Sequence, residues 1–291
     1  MAEFLELSFD LGSLDAQRAE DAAIGCGACA VTFGDAGDAP VLEPAPGEFL
    51  LWRATRVKCL FTHSGDARGL AHSLASALGI DAAAIEALEI ADRAWEREWL
   101  KDFHALRFGR RLWVCPRHER VRVPGAVVVR LDPGLAFGTG THPSTALCLN
   151  WLDAHLAPGA RLIDYGCGSG VLALAAAKLG AAEVHAFDID PQALIATRDN
   201  ARANGLQLRV HEQAGTLPRA ADVVVANILA GILCELAPRF AGLVRPGGEL
   251  VLGGLMEHEA ADVTEAYAAC FDVARVADCD GWVCLAGRRR C

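Results

Sequence analysis

No stretch of this sequence approaches the roughly 18 continuous apolar residues that a membrane-spanning helix needs. The opening residues, MAEFLELSFDLGSLD, carry acids where a secretory leader needs a basic start and an apolar run. No membrane partner and no export are expected, and the chain is expected to work in the cytoplasm. Metal-binding patterns are missing as well. Of the eleven cysteines only Cys26 and Cys29 form a C-x-x-C, and no second ligand pair accompanies them. Burial of these two as small apolar side chains is expected, with the remaining cysteines free and no metal bound. Basic residues are scarce at the start: residues 1–90 hold 5 against 14 acidic ones, a net charge of −9. That deficit disfavours a phosphate-binding surface there and suits a basic protein partner. An ordinary solubilising surface accounts for it equally well.

What is present is a folded composition. In 291 residues, 53% are hydrophobic and 22% charged, enough for real cores and long enough for two domains. Charge turns positive over residues 91–131 (10 basic, 5 acidic) and negative again over 132–291 (12 basic, 18 acidic). The expected division is 1–91, a connection at 92–122, and 123–291.

The first part reads as β-α-β-β-α-β. Strands are expected at Phe4–Phe9, Cys29–Phe33, near Leu50–Phe61 and at Ala87–Ile90, with helices at Ser13–Ile24 and Asp66–Leu78 and a loop at Gly34–Gly47. This order matches a small ferredoxin-like α+β sandwich. In the connection, Trp95 and Trp99 share one helical face, followed by a basic turn (Arg107–Arg111) and a strand at Leu112–Cys115. Its arginines suit either RNA or a solvated face. From Val127 onward strands and helices alternate. Strands are expected at 127–131, 161–165, 183–187, 207–211, 222–226, 248–253, 271–276 and 281–286. Helices are expected at 143–156, 170–179, 191–204, 229–243 and 257–269. Such alternation implies a mostly parallel sheet covered on both faces, closed by an antiparallel hairpin at the Asp-Cys-Asp-Gly link.

The chemistry-bearing feature is a strand ending at Asp164, then a turn with Gly166, Gly168 and Gly170, then a helix. Glycines let the backbone turn tightly and approach a ligand, and a helix start offers its N–H groups to a negative group. A dinucleotide fingerprint wants its third glycine where Val171 stands, so this turn departs from it. Asp164, two residues ahead of the first glycine, suits the positive amino group of a methionine moiety, directly or through water. The next strand ends in Asp188, where a Rossmann-like fold places the carboxylate that grips ribose hydroxyls. Asp190, before Pro191, reads instead as a helix N-cap. The strand Asp222–Ala226 delivers Asn227 to the carboxyl edge of the sheet. Two readings of Asn227 stand: a cap of the next helix, or a group beside the methyl donor and an incoming amine. The loop Leu131–Thr145 enters the same edge, where it suits a lid, and Thr141 before His142-Pro143 looks like an ordinary helix start.

Asp-x-Gly-x-Gly-x-Gly resembles motif I of the class I methyltransferases. LDPGLAFGTGTHPST, IDYGCGSGVLALAAAKLGA, FDIDPQAL and VVVANILA together resemble the bacterial family that methylates large-subunit ribosomal protein L11, as does the connection WEREWLKDFHALRFGRRLWVCP. The resemblance implies a Rossmann-like class I methyltransferase domain behind a small substrate-recognition domain. It implies S-adenosylmethionine as cofactor, contacted at Thr145, Gly166, Asp188 and Asn227, with Asp164 and Gly168 beside them. Ser144 stands where the family often has a first threonine, which keeps the hydroxyl. The implied reaction is methylation of lysine and α-amino groups of a basic ribosomal protein gripped by the acidic N-terminal domain, with no nucleic-acid substrate. Asn227 is then a positioning residue, and no residue stands out as a general base. The rivals are a methyltransferase of another protein and an RNA-binding assembly factor. Enzymes acting on planar bases often carry Asn-Pro-Pro-Tyr where this chain has Asn-Ile-Leu-Ala, which lacks the stacking ring.

Overall fold

A computed structural model describes residues 2–37, 52, 54–62, 66–91, 104–131 and 140–290. The tryptophan helix expected in the connection, most of the loop before the third strand, and residues 132–139 of the glycine-rich loop lie outside the described residues. The chain divides into two compact units, Met1–Glu98 and Trp99–Cys291.

In the first unit, strand pattern and helix caps account for each element. β1 (Ala2–Asp10) buries Leu5, Leu7 and Phe9, and β3 (Thr55–Thr62) buries Val57, Cys59 and Phe61, the period of two that a half-buried strand requires. α1 (Ala16–Gly25) starts where Asp15 accepts from Arg18 N–H, and α2 (Ala67–Leu78) where Asp66 accepts from Gly69 N–H. α2 ends at Gly79, whose φ of 74° is the left-handed C-terminal turn. With β2 (Ala30–Asp35) and β4 (Glu86–Ala91), the strands form an antiparallel sheet in the order β2-β3-β1-β4. That is the ferredoxin-like arrangement expected. Cys29 departs from expectation: it is exposed, and Cys26 only half-buried. Cys29 sits just before edge strand β2, held by its N–H to Leu60 O, with its side chain exposed.

The second unit is built on a seven-stranded sheet, β10-β9-β8-β11-β12-β14-β13. β8 (Arg161–Tyr165), β9 (Glu183–Phe187), β10 (Arg209–His211), β11 (Ala221–Asn227) and β12 (Val244–Met256) run parallel. β14 (Trp282–Arg289) is antiparallel to β12 and forms a hairpin with β13 (Phe271–Cys279). Asp280 and Gly281, both at positive φ, make its two-residue turn. Both faces are covered. Leu162, Val223 and Val225 pack with α3 (Pro143–His155), α4 (Val171–Leu179) and α5 (Pro191–Ala203). Ile163, Val224 and Ala226 pack with α6 (Ala230–Leu243) and α7 (Ala260–Tyr267).

β7 (Val127–Arg130) forms as a strand but not in this sheet. It pairs parallel with β6 (Leu112–Cys115), which pairs antiparallel with β5 (Leu106–Phe108), giving a separate three-stranded sheet. The Asn204 side chain takes both the N–H and the C=O of Arg130, at 2.7 Å each, so the exit of β7 is committed to the end of α5. Neighbours along the chain need not share a sheet when a side chain satisfies the strand's free edge. None of the helices among the described residues is long and apolar enough to cross a membrane.

Candidate active site

The order of the large sheet reverses between β8, which continues to β9 on one side, and β11 on the other. The carboxyl ends of those two strands therefore open a crevice, the position at which parallel α/β sheets bind ligands. Every site residue expected from the sequence sits at or beside it.

After β8 the chain turns through Gly166, Gly168 and Gly170 at φ of 82°, 53° and 81°. All three lie in the left-handed region, which explains the residue type. At Gly166 a Cβ would also run into the Ile228 side chain. The turn is tied to β9: the N–H groups of Gly166 and Cys167 both donate to Phe187 O (2.7 and 2.9 Å), and Gly168 N–H donates to Asp188 Oδ2 (2.8 Å). Asp188 Oδ1 accepts from Asp190 N–H, and Asp190 caps α5 through Gln192 N–H with Pro191 in its first turn. Asp190 is thus the cap of α5, and Asp188 lies on the wall of the crevice.

Asp164 lies beneath the turn. It is fully buried, its Oδ2 accepts from Ala173 N–H at 2.9 Å, and its Oδ1 has no partner among the described residues. Burial pushes its pKa up to about 7, offset in part by the Ala173 bond. It is not on the wall of the crevice, whereas Gly166, Gly168, Asp188 and Asn227 are.

From the other side of the switch point, Asn227 Nδ2 donates to Thr145 Oγ1 at 2.9 Å. α6 begins after Leu229 with no side-chain cap, so Asn227 does not cap it. Thr145 is buried beside Asn227 and reaches the crevice through it, while Ser144 and His142 line the wall directly. His142, rather than Thr141, caps α3: its Nδ1 accepts from Ser144 N–H and lies 2.8 Å from Ser144 Oγ. Partial burial lowers the His142 pKa, which keeps the ring neutral near pH 7.

The crevice is a cavity of about 450 Å³ with mostly apolar walls, the size and character of a small-molecule site. Tyr165, Ile228, Gly254 and Trp282 also line it, none of them singled out from the sequence. Trp282 packs edge-on against His142 with centroids 4.6 Å apart. A signal for one of these was available. Gly253-Gly254 interrupts an apolar strand, and a glycine there marks a close backbone approach. At Gly254 a Cβ would lie 2.8 Å from Ile228 N, and at Gly253 3.1 Å from Asn227 Oδ1.

With this geometry in view, comparison with known proteins is decisive. The family model described as ribosomal protein L11 methyltransferase matches residues 3–290. The chain belongs to that family. The ribosomal protein L11 methyltransferase of Pseudomonas aeruginosa is 48% identical over 290 residues, 99% of each chain. That of Methylococcus capsulatus is 49% identical over 279 residues, covering 94% of this chain and 95% of the relative. A solved ribosomal protein L11 methylase from Lactobacillus delbrueckii subsp. bulgaricus superposes with a TM-score of 0.61 at 30% identity, over 65% of this chain and all of that one.

The chain is thus a class I methyltransferase, and its cofactor is S-adenosylmethionine. The residues present fit that group. Three glycines without side chains edge a cavity of suitable size, a carboxylate closes β9, and an unpartnered buried carboxylate oxygen lies under the turn. Among the described residues no three metal-ligating side chains cluster.

Proposed function

We propose that this protein transfers methyl groups from S-adenosylmethionine to lysine side-chain and N-terminal α-amino groups of ribosomal protein L11. The observation that carries the reading is the meeting, in one cavity, of the glycine turn with Asp188 and of Asn227 locked to Thr145. The bound cofactor supplies an electrophilic methyl on a sulfonium. The chain's own part is to bind, orient and dry. Gly166 and Gly168 bring bare backbone to the ligand. Each Asp188 oxygen holds one backbone N–H and keeps a lone pair for a ribose hydroxyl. Asp164 offers buried negative charge to the methionine ammonium, which would also lower its raised pKa.

Asn227 has a directed role. Its Nδ2 is committed to Thr145, which leaves Oδ1 as the acceptor for an N–H of the incoming amine. An amine held this way would be fixed in orientation, and alignment of this kind is worth a large share of the barrier in an in-line transfer. Lysine loses its proton near pH 10.4 and an α-amino group at about 7.7–8.0, so an apolar wall helps by disfavouring the ammonium. Ile228, Leu229, Ile232 and Trp282 form that wall. The N-terminal unit, acidic in sequence, is the part that engages the basic substrate, and the reaction takes place in the cytoplasm.

The test is to incubate the chain with methyl-labelled S-adenosylmethionine and unmethylated ribosomal proteins, then locate the label by mass spectrometry. One labelled protein, modified on amines, is expected. Label on RNA, or on a different protein alone, would reject the substrate.

A further inference from the structure

α5 and its C-cap carry three buried polar residues, Thr197, Asn200 and Asn204, at 0%, 8% and 9% exposure. Buried polar groups are tolerated where they are hydrogen-bonded, so their partners show what they are for. Asn204 holds β7, as described above. The other two hold the glycine turn: Thr197 Oγ1 donates to Gly168 O at 3.0 Å, and Asn200 Nδ2 donates to Ser169 O at 2.9 Å. Two successive carbonyls of the turn are therefore each satisfied by a side chain from one helix. Gly168 is gripped on both sides, its N–H by Asp188 and its C=O by Thr197.

Thr197 does more than fill space. Cys167 Sγ lies 3.3 Å from Thr197 Oγ1. The hydroxyl has a single proton and gives it to Gly168 O, so the thiol is the donor in that contact. Burial pushes the Cys167 thiol up, which keeps it protonated for the purpose. The result is a chain, Cys167 S–H to Thr197 O–H to Gly168 C=O, and each link polarises the next. The turn also runs against this side chain: a Cβ on Gly170 would lie 2.8 Å from Thr197 Oγ1 and 2.9 Å from its Cγ2.

We propose that Thr197 is a positioning residue for cofactor binding, supported by Asn200 and Cys167, and that α5 presets the glycine turn in its ligand-ready form. The inference rests on the S-adenosylmethionine reading of the crevice. Thr197→Val keeps the shape and removes the proton, leaving the half-buried Gly168 carbonyl without its side-chain donor.

The experiment uses the full chain and S-adenosylhomocysteine as probe, with calorimetric Kd, KM and kcat for S-adenosylmethionine, and amide hydrogen exchange across 166–171. Thr197→Val is expected to raise Kd and KM roughly tenfold, the effect of one unmet acceptor in the turn, while kcat falls less than about threefold. Thr197→Ser, which keeps the hydroxyl, should stay within about twofold of the parent, and Cys167→Ala should weaken binding by about twofold. Faster exchange should be confined to the turn. Parent-like affinity in Thr197→Val would overturn the proposal, as would equal losses in Thr197→Val and Thr197→Ser, because packing alone would then explain them. Should Thr197→Val not fold, Asn200→Ala decides: an expected loss of about threefold to fivefold through Ser169 supports the proposal, and parent-like binding rejects it. If the parent chain itself fails to bind the probe, the cofactor reading falls and takes this inference with it.

Discussion

The two units bury different things. Below the sheet of the N-terminal unit the core is Leu5, Leu7, Phe9, Val57, Phe61, Leu74 and their apolar neighbours; Ser8 and Thr55 are buried polar side chains there, and none of the unit's described charged side chains is buried. The C-terminal unit buries two carboxylates (Asp153 and Asp164), His185, Thr197, Asn200 and Asn204 along with its leucines and valines. A core assembled only for stability has no reason to enclose such groups, since each must be desolvated and then partnered. Several of the partners found are backbone atoms of the cofactor turn and of the strand that leads to the crevice. Among the described residues, buried carboxylates and amides, not sheer core size, separate the catalytic unit from the N-terminal one.

That contrast can be broken or sharpened by four substitutions. The largest effect is expected from Asp164→Asn in the ligand-free chain. Its carboxyl has a folded pKa raised from 3.8 to about 7, so ionising it opposes folding. The penalty is absent below about pH 4, grows as pH rises toward 7 and is constant above. Asparagine, which can still accept from Ala173 N–H, should stabilise the apo protein by about 4 kcal/mol at pH 8 and by nothing near pH 4, as followed by denaturant unfolding. Affinity for S-adenosylmethionine should fall in the same variant. Equal stability changes at both pH values would show that the buried charge carries no cost.

Leu7→Ala probes the other kind of core. Removing a fully buried leucine should cost about 3 kcal/mol in the N-terminal unit. Binding of S-adenosylhomocysteine, measured by calorimetry, should not change. A parallel loss of affinity would mean the two units are not separable as the comparison supposes. Next comes Gly166→Ala, which combines a φ of 82° with a collision against Ile228. Cofactor affinity should drop about 100-fold, equivalent to about 2.7 kcal/mol, with the unfolding midpoint of the N-terminal unit unmoved. The smallest effect belongs to the pair of half-buried Arg56 and exposed Glu86 on the antiparallel sheet. Glu86→Gln should change stability by no more than about 0.5 kcal/mol, and a larger value would show that surface charge matters more to this unit than its core suggests.

Much of the fold was legible because its signals are local. The alternation Leu5, Leu7, Phe9 and the all-apolar run Val223–Ala226 announce one-sided and two-sided strands respectively. Asp190-Pro191 announces a cap, and the glycines announce a turn. β7 was legible as a strand but not as a member of the small sheet, because neither its pairing with β6 nor the bonds of Asn204, more than seventy residues on, to Arg130 has a local signal. Cys29 was misread for a similar reason: exposure depends on β2 being an edge strand, which no local pattern states. Within the crevice, the residues carried on motifs were found. Trp282 and Tyr165 were missed because an aromatic in a strand reads as core until the sheet order places it at an open end.

Sequence alone settled the kinds of element, the glycine turn, the acid closing β9 and the asparagine closing β11, since each is dictated by backbone sterics, periodicity or capping within a few residues. Tertiary structure alone decided which of those groups meet. It decided between the two readings of Asn227 by placing it against Thr145, set Asp164 beneath the turn with one oxygen unpartnered among the described residues, and brought Thr197 onto the Gly168 carbonyl. The physical reason is that a hydrogen bond between residues thirty or eighty positions apart has no signature in either segment. It exists only once the sheet order has brought two strand ends and a helix face to the same few ångströms.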